Sequence, residues 1–439
     1  MCHAKPQEER LVTHFSLNRT QMTRTRIISP TRFPSLKSQR CGSGGDASFM
    51  EQLLLHCATA IDSNDAALVH QLLWVLNNIA SPDGDSSTQR LTSAFVRALL
   101  ARAVSKIPTL FSTFGNTVFQ PPADEIHRFS VVELAGFIDL TPWHRFGFIA
   151  ANEAILTAVE GYAKVHIVDL SLTHCMQIPT LIDAIATKLN KPLLLKLTVV
   201  SSASNFPPFI NISYEELGSK LVNFATSRNI EMQFTIIPST YSDGFSSLLQ
   251  HLRMYPTSYN EALVVNCHMM LRYIPDETLT PSSPSSLSLR NVFLNQLRSL
   301  NPTMVTLIEE DADLTSDNLV TRLSSAFNYF WIPFDTTDTF MSEQRRLYEA
   351  EISWKIENVV AKEGVERVER TETKGRWLER MRDNEFGGVR VREEAVSELK
   401  AMLGEHAVGW GMKKDDDDES LVLTWKGHSV VFATVWVPI

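Results

Sequence analysis

Cysteine is scarce in this 439-residue sequence, and its five copies, Cys2, Cys41, Cys57, Cys175 and Cys267, are scattered. They form no CxxC pair and no Cys/His ligand spacing, and no disulfide framework can be built from them, so a reducing intracellular compartment is expected. No apolar run approaches the roughly 20 residues that span a bilayer, which leads us to expect a soluble protein. Positive charge is also short. With a formal net charge of -9, the chain has no global attraction to DNA or an anionic membrane, and any such contact needs a local basic patch. A further shortage is of glycine at one place. Val165-His166-Ile167-Val168-Asp169-Leu170 reads as the first strand of a nucleotide- or cofactor-binding sheet, yet Ser171 to Pro179 after it contains no glycine. Such turns use glycine because only a residue without Cβ lets backbone amides approach a phosphate or ribose. The pattern is that of a catalytic-looking core that has lost its ligand.

What is present is a large core. The composition is 44% hydrophobic, and the length leaves room for more than one typical domain. Residues 1–47 differ from the rest. Lys5, Arg10, Arg19, Arg24, Arg26, Arg32, Lys37 and Arg40 stand among Ser, Thr and Pro, with Glu8 and Glu9 among the few carboxylates. This reads as a disordered basic arm suited to nuclear entry, with an organellar transit peptide as the alternative.

From Phe49 the apolar spacing is helical. Leu53, Leu54, Cys57, Ala58 and Ile61 form one stripe and Leu68, Leu72, Val75, Leu76 and Ile79 a second. After the break Ser81-Pro82-Asp83-Gly84-Asp85, a third helix runs through Leu91, Phe95, Leu99 and Ala103, giving a helical cap over about 48–110. A further cap insertion is expected near 270–300.

After a helical stretch over 130–161, strands and helices alternate. Strands are expected at 165–170, 193–200, 232–237, 262–266 and 303–308, with helices between them, Pro275 to Pro284 as a surface loop, and a long helix over 343–362. Apolar strands separated by helices indicate a parallel-type sheet covered on both faces. Leu421 to Trp425 and Val430 to Val437 read as an antiparallel pair, preceded by an acidic loop, Asp415 to Glu419. The fold class is therefore α/β, a Rossmann-like, class I methyltransferase-like core over about 130–439 under a helical cap.

These motifs, in this order over roughly 50–439, resemble the GRAS family of plant transcriptional regulators, most closely its scarecrow-like members. Leu53-Leu54-Leu55-His56-Cys57-Ala58 is similar to the opening of the first leucine-rich region, and Val165, His166, Ile167, Val168 and Asp169 to the VHIID motif. Leu263-Val264-Val265-Asn266-Cys267 is similar to the second leucine-rich region. Ile356 to Gly364, Arg367-Val368-Glu369-Arg370 and Arg376-Trp377 through Arg380-Met381 resemble the central motifs. Trp410, Trp425-Lys426-Gly427 and Thr434-Val435-Trp436 resemble the SAW segment. There are departures: Cys175 stands where the VHIID loop usually has glycine, and the PFYRE block is poorly kept around Asn328 to Pro333. The resemblance implies nuclear action through protein partners: other GRAS proteins as homo- or heterodimers, and DNA-bound transcription factors, zinc-finger proteins among them.

The residues argue against catalysis. A methyltransferase using S-adenosylmethionine wants glycine after the first strand and an acid ending the second, whereas Val200 to Ser204 offers no carboxylate. No catalytic, cofactor-binding or metal residue is assigned. Asp169 and Ser171 are expected to bond loop amides, and Glu309-Glu310-Asp311-Ala312-Asp313 to be the solvated end of a sheet. Arg367, Glu369 and Arg370 are expected to make structural ion pairs within the charged run 365–382. Arg345 and Arg346 are candidate phosphate contacts, and Leu53, Leu54, Leu55, Leu72, Leu73 and Trp74 a candidate dimer surface. The reading is a transcriptional regulator acting by protein–protein interaction. Direct DNA binding, and a methyltransferase-like enzyme or small-ligand sensor, are the alternatives.

Overall fold

A computed structural model describes residues 43–110, 127–189, 193–201, 206–279, 288–415 and 419–439. The basic arm up to residue 42, Ser202 to Ser204 and the middle of the acidic loop lie outside these residues.

Helix α1 (Ser43–Asp62) starts inside the stretch counted with the arm, so residues 43–47 belong to the folded unit. It buries Leu54, Cys57, Ala58 and Ile61, the i, i+3, i+4, i+7 face of a helix. The Asp65 side chain caps α2 (Ala66–Ile79) by accepting from the Leu68 amide at 3.0 Å, and Ser86 caps α3 (Ser87–Lys106). Helices α4 (Val131–Ile138) and α5 (Pro142–Ala158) then lead into the sheet.

Strand β1 (Lys164–Ser171), α6 (Ile178–Lys188), β2 (Leu194–Ser201), α7 (Tyr214–Ser227), β3 (Glu231–Pro238), α8 (Ser246–Met254) and β4 (Glu261–His268) follow in alternation, apart from the two-residue strand Phe209–Ile210 that pairs with Arg128–Phe129 outside the main sheet. Next come α9 (Leu289–Ser299), β5 (Met304–Glu310), α10 (Leu319–Thr336), α11 (Ser342–Ala361), α12 (Lys374–Asp383) and β6 (Phe386–Val389). The last elements are α13 (Glu393–Leu403), β7 (Trp410–Asp415), β8 (Ser420–Trp425) and β9 (His428–Pro438). The sheet order is β3-β2-β1-β4-β5-β9-β8-β7, with β6 beside the end of β9.

The first five strands are parallel, but β9 runs antiparallel to β5 and β8, and β8 antiparallel to β7. The sheet is thus mixed rather than parallel-type throughout. The short connection Lys426-Gly427 forces this, because parallel neighbours need a crossover of a dozen or more residues. Alternate residues of β1 serve the two faces: Val165 and Ile167 pack toward α6, Val168 and Leu170 into the opposite cluster with α8, α9 and α12.

The expected cap insertion near 270–300 is elsewhere. Helix α9 turns Phe293, Leu294 and Leu297 onto the sheet beside Leu248, Trp377 and Met381, because that stripe meets the apolar face of β4 and β5. The helices that join α1 and α3 are α10 and α11, as shown by Phe95 against Phe327 at 5.5 Å between ring centroids. The Pro275 to Pro284 loop is held to the body of the protein in its described part. Asp276 is buried beneath Arg370 and accepts from Thr278, so this segment is anchored rather than free.

Candidate functional site

In an open α/β sheet, ligands bind beyond the carboxyl ends of the strands, where the order reverses. Here that crevice lies above β1. Asp169, Asn266 and Thr306 sit side by side on β1, β4 and β5. The Asn266 amide donates to Asp169 (2.7 Å) and to Gln177 (3.0 Å), while Thr306 donates to Asn266 (2.7 Å). Gln177 in turn donates to Asn152 at 2.9 Å. Ser171 donates to the second Asp169 oxygen (2.6 Å) and accepts from the Cys175 amide (3.3 Å). Burial pushes the Asp169 carboxyl above its usual range, against the pull of these bonds. Each of these named polar groups is consumed by a neighbour.

The roof is side chains. His174 donates through Nε2 to the Pro208 carbonyl (2.8 Å), which leaves Nδ1 to accept from Tyr214 (3.0 Å). Phe206 stacks on Tyr273 with centroids 3.8 Å apart. What remains is a cavity of about 20 Å³, room for one water. His174 and Cys175 take φ of +50° and +62°. The backbone therefore keeps the left-handed turn that glycine favours, with two residues that carry side chains. His166 bonds Thr198 of β2 at 2.8 Å, and burial lowers its pKa to about 4.

Glu309 and Glu310 correct the expectation of a solvated sheet end. Both are buried in β5, where Arg272 reaches them at 2.7 and 2.6 Å and Lys355 reaches Glu310 at 2.9 Å. Burial would raise both carboxyls; Glu309 does lie high, while Arg272 and Lys355 outweigh burial at Glu310 and hold it low. The run 365–382 is likewise internal in its key members. Arg367 donates to the Leu314 and Thr315 carbonyls, Glu369 accepts from Tyr273 (2.7 Å), and Arg370 reaches Asp276 (3.3 Å) and Thr278. Arg290 and Arg380 enclose Glu372 at 3.0 and 2.6 Å. Spacing alone could not separate this from a surface lattice, since the partners are Tyr273, Asp276 and Leu314, distant in the chain.

The SAW-like residues fasten the last strands. Trp425 donates to Asp335 (2.6 Å), Thr434 to the Leu307 carbonyl (3.1 Å) and Trp436 to Thr434 (2.9 Å), while Val435 lies buried opposite Thr306. Arg346 lies on the exposed surface of α11 at 3.4 Å from Asp83, and Arg345 is half-buried.

The candidate dimer surface divides. Leu54 is 0% and Leu73 4% exposed, so both are core, and Leu53, Leu55 and Leu72 are half-buried against it. Trp74 is 47% exposed, and it is joined by Leu68 at 41% and Val75 at 36%. Apolar residues surround α2, and the face with Val69, Leu73 and Leu76 is the one turned inward; Leu68, Leu72 and Val75, at i, i+4 and i+7, form the other.

Comparison with known proteins fits this architecture. A model of the GRAS domain family matches residues 50–437. The chain belongs to the GRAS domain family. This is the family of plant transcriptional regulators that the motifs resembled. The chain is 82% identical over 419 residues to Scarecrow-like protein 32 of Arabidopsis thaliana, covering 95% of this chain and all of that one. Protein SHORT-ROOT of the same plant is 31% identical over 409 residues, 90% of this chain and 74% of that one. The crystal structure of SCL7 in Oryza sativa superposes with a TM-score of 0.68 at 22% identity, over 88% of this chain and 99% of that one, and shows the same fold. No described helix is long and apolar enough to cross a membrane.

Proposed function

We propose that this GRAS protein regulates transcription in the nucleus by docking proteins together, without catalysis. The α2 face pairs with another GRAS protein, and the core with its C-terminal strands docks on a DNA-bound transcription factor. The observation that carries this reading is the contrast in exposure: Leu68, Trp74 and Val75 are open on α2, while the crevice above β1 is filled. Isolated surface apolar residues are normal, but Leu68 and Val75 share one face of α2 at i and i+7 with Trp74 open about a quarter turn further round, and apolar residues grouped this way on one helix mark an interaction site.

The parallel order 3-2-1-4-5 of β1 to β5 supports a Rossmann-like, methyltransferase-like ancestry. S-adenosylmethionine does not fit these residues. Phe206, Tyr214 and Tyr241 line the space a nucleoside would need, and β2 ends at Val200-Ser201 with no acid among its described residues.

Sedimentation of the full chain alone and with SHORT-ROOT tests the docking face. Leu68→Glu and Trp74→Glu should each weaken association at least about tenfold, the effect of losing one buried aromatic or aliphatic anchor. Unchanged association removes this surface. Calorimetric binding of S-adenosylmethionine, or salt-sensitive binding to a DNA duplex by the chain alone, would replace the reading.

A further inference from the structure

A second groove, of about 570 Å³, lies between the start of α1, the start of α3 and α10. Its floor is Phe327, Trp331 and Leu91, and its acids are Glu51, Asp335 and Asp338. Phe327, Trp331 and Asp335 follow at four-residue spacing, so they share one face of α10. Glu51 crosses from α1 and accepts from Ser324 (3.1 Å) and Asn328 (3.2 Å), which ties the helices together. His428 meets the Trp331 ring edge-on at 5.3 Å.

Three carboxylates and no lysine or arginine line the groove among the described residues. Lys426 pairs with Asp335 and Arg90 with Asp338, each at 2.6 Å through a single carboxylate oxygen. Glu51 has no cation within ion-pair reach among the described residues. The second oxygens of Glu51, Asp335 and Asp338 accept no hydrogen bond there. An indole ring beside carboxylates that each keep one oxygen without a partner is a cation-recognition arrangement, because the ring face attracts a guanidinium while the acids bond its N–H groups.

We infer that this groove binds a basic segment of a partner protein, an arginine lying on Trp331 against Glu51 and Asp335, with an adjacent apolar residue on Phe327 and Leu91. The site is separate from the α2 face, so either can fail alone.

The test is fluorescence anisotropy of the full chain with a labelled peptide alternating arginine and leucine, beside the same peptide with glutamine for arginine. The arginine peptide should bind, weaken as salt rises from about 0.05 to 0.5 M, and exceed the glutamine peptide by about tenfold or more, as charge-assisted contacts require. Trp331→Ala and Asn328→Lys should each weaken it by about tenfold, the loss of one anchor, with melting temperature monitored alongside. Asn328 is exposed, so its variant adds a cation to the groove without touching the core. Leu68→Glu should leave peptide binding unchanged. Equal binding of the glutamine peptide, or indifference to Asn328→Lys, overturns the inference. So does self-association that Asn328→Lys abolishes, which would make a second copy the occupant.

Discussion

Trp74 and Asp169 hold opposite positions in this molecule. Trp74 stands half open on a helix whose other face is core, whereas Asp169, at the place where α/β sheets bind ligands, has both carboxylate oxygens taken by Ser171 and Asn266. The crevice is polar and closed; the cap face is apolar and open. A closed polar site spends its hydrogen bonds on the fold, and an open apolar face keeps its burial for a partner. The sheet thus serves as scaffold, and the open apolar surface lies elsewhere.

The comparison breaks most visibly if the buried charges near the crevice are dispensable. Arg272→Met leaves Glu309 and Glu310 with a cation lost between them and should cost about 3–5 kcal/mol, read as a fall in the urea midpoint. A loss under about 1 kcal/mol, the scale of an exposed pair, would mean the network is solvated after all.

Adjacent residues on α2 sharpen the contrast next. Leu73→Ala should destabilise by about 2–5 kcal/mol through a core cavity. Trp74→Ala should stay within about 0.5 kcal/mol of the parent yet lose association with its GRAS partner. Equal destabilisation by both would place Trp74 in the core.

Acid probes the closed side. His144 Nδ1 lies 3.2 Å from His268 Nε2, and burial depresses His144 from 6.5 to about 3, with His268 lowered as well. The unfolded chain then takes up these protons first, so stability is full above about pH 6.5 and falls as pH drops toward 3. Each histidine contributes a slope of at most about 1.4 kcal/mol per pH unit. His144→Asn should flatten the dependence of stability on pH between 6.5 and 4.5. A slope identical to the parent's would assign it to other groups.

The smallest effect is expected at Cys175. Its φ of +62° costs about 1 kcal/mol for a residue with Cβ, which Cys175→Gly relieves while removing a buried thiol. The melting temperature should barely move; a large drop would show that the thiol's packing against Asp169 matters more than the turn.

Much of this was legible beforehand. The helix through Tyr348, Ile352, Ile356 and Val359 lies at 342–361, because its stripe repeats over about three turns and no alternative period competes. The antiparallel pair at the end was equally plain from two apolar runs around Lys426-Gly427. Strands β6 and β7 were not, since Phe386-Gly387-Gly388-Val389 and Trp410 to Asp415 are short, edge-like and poor in β-branched residues. Helix α10 was obscured by Pro333 within it.

Local order, periodicity and family membership came from the sequence alone, because apolar spacing and chain-ordered motifs are one-dimensional properties. Which side of α2 turns inward, whether Glu309 and Glu310 meet water or Arg272, and what fills the space above Leu170 were decided only by tertiary structure. Spacing tells which residues share a face, but not what that face meets. Phe206, Tyr214, Arg272 and Glu369 reach their partners across long stretches of chain, and burial assigns each charge its role only when those stretches close together.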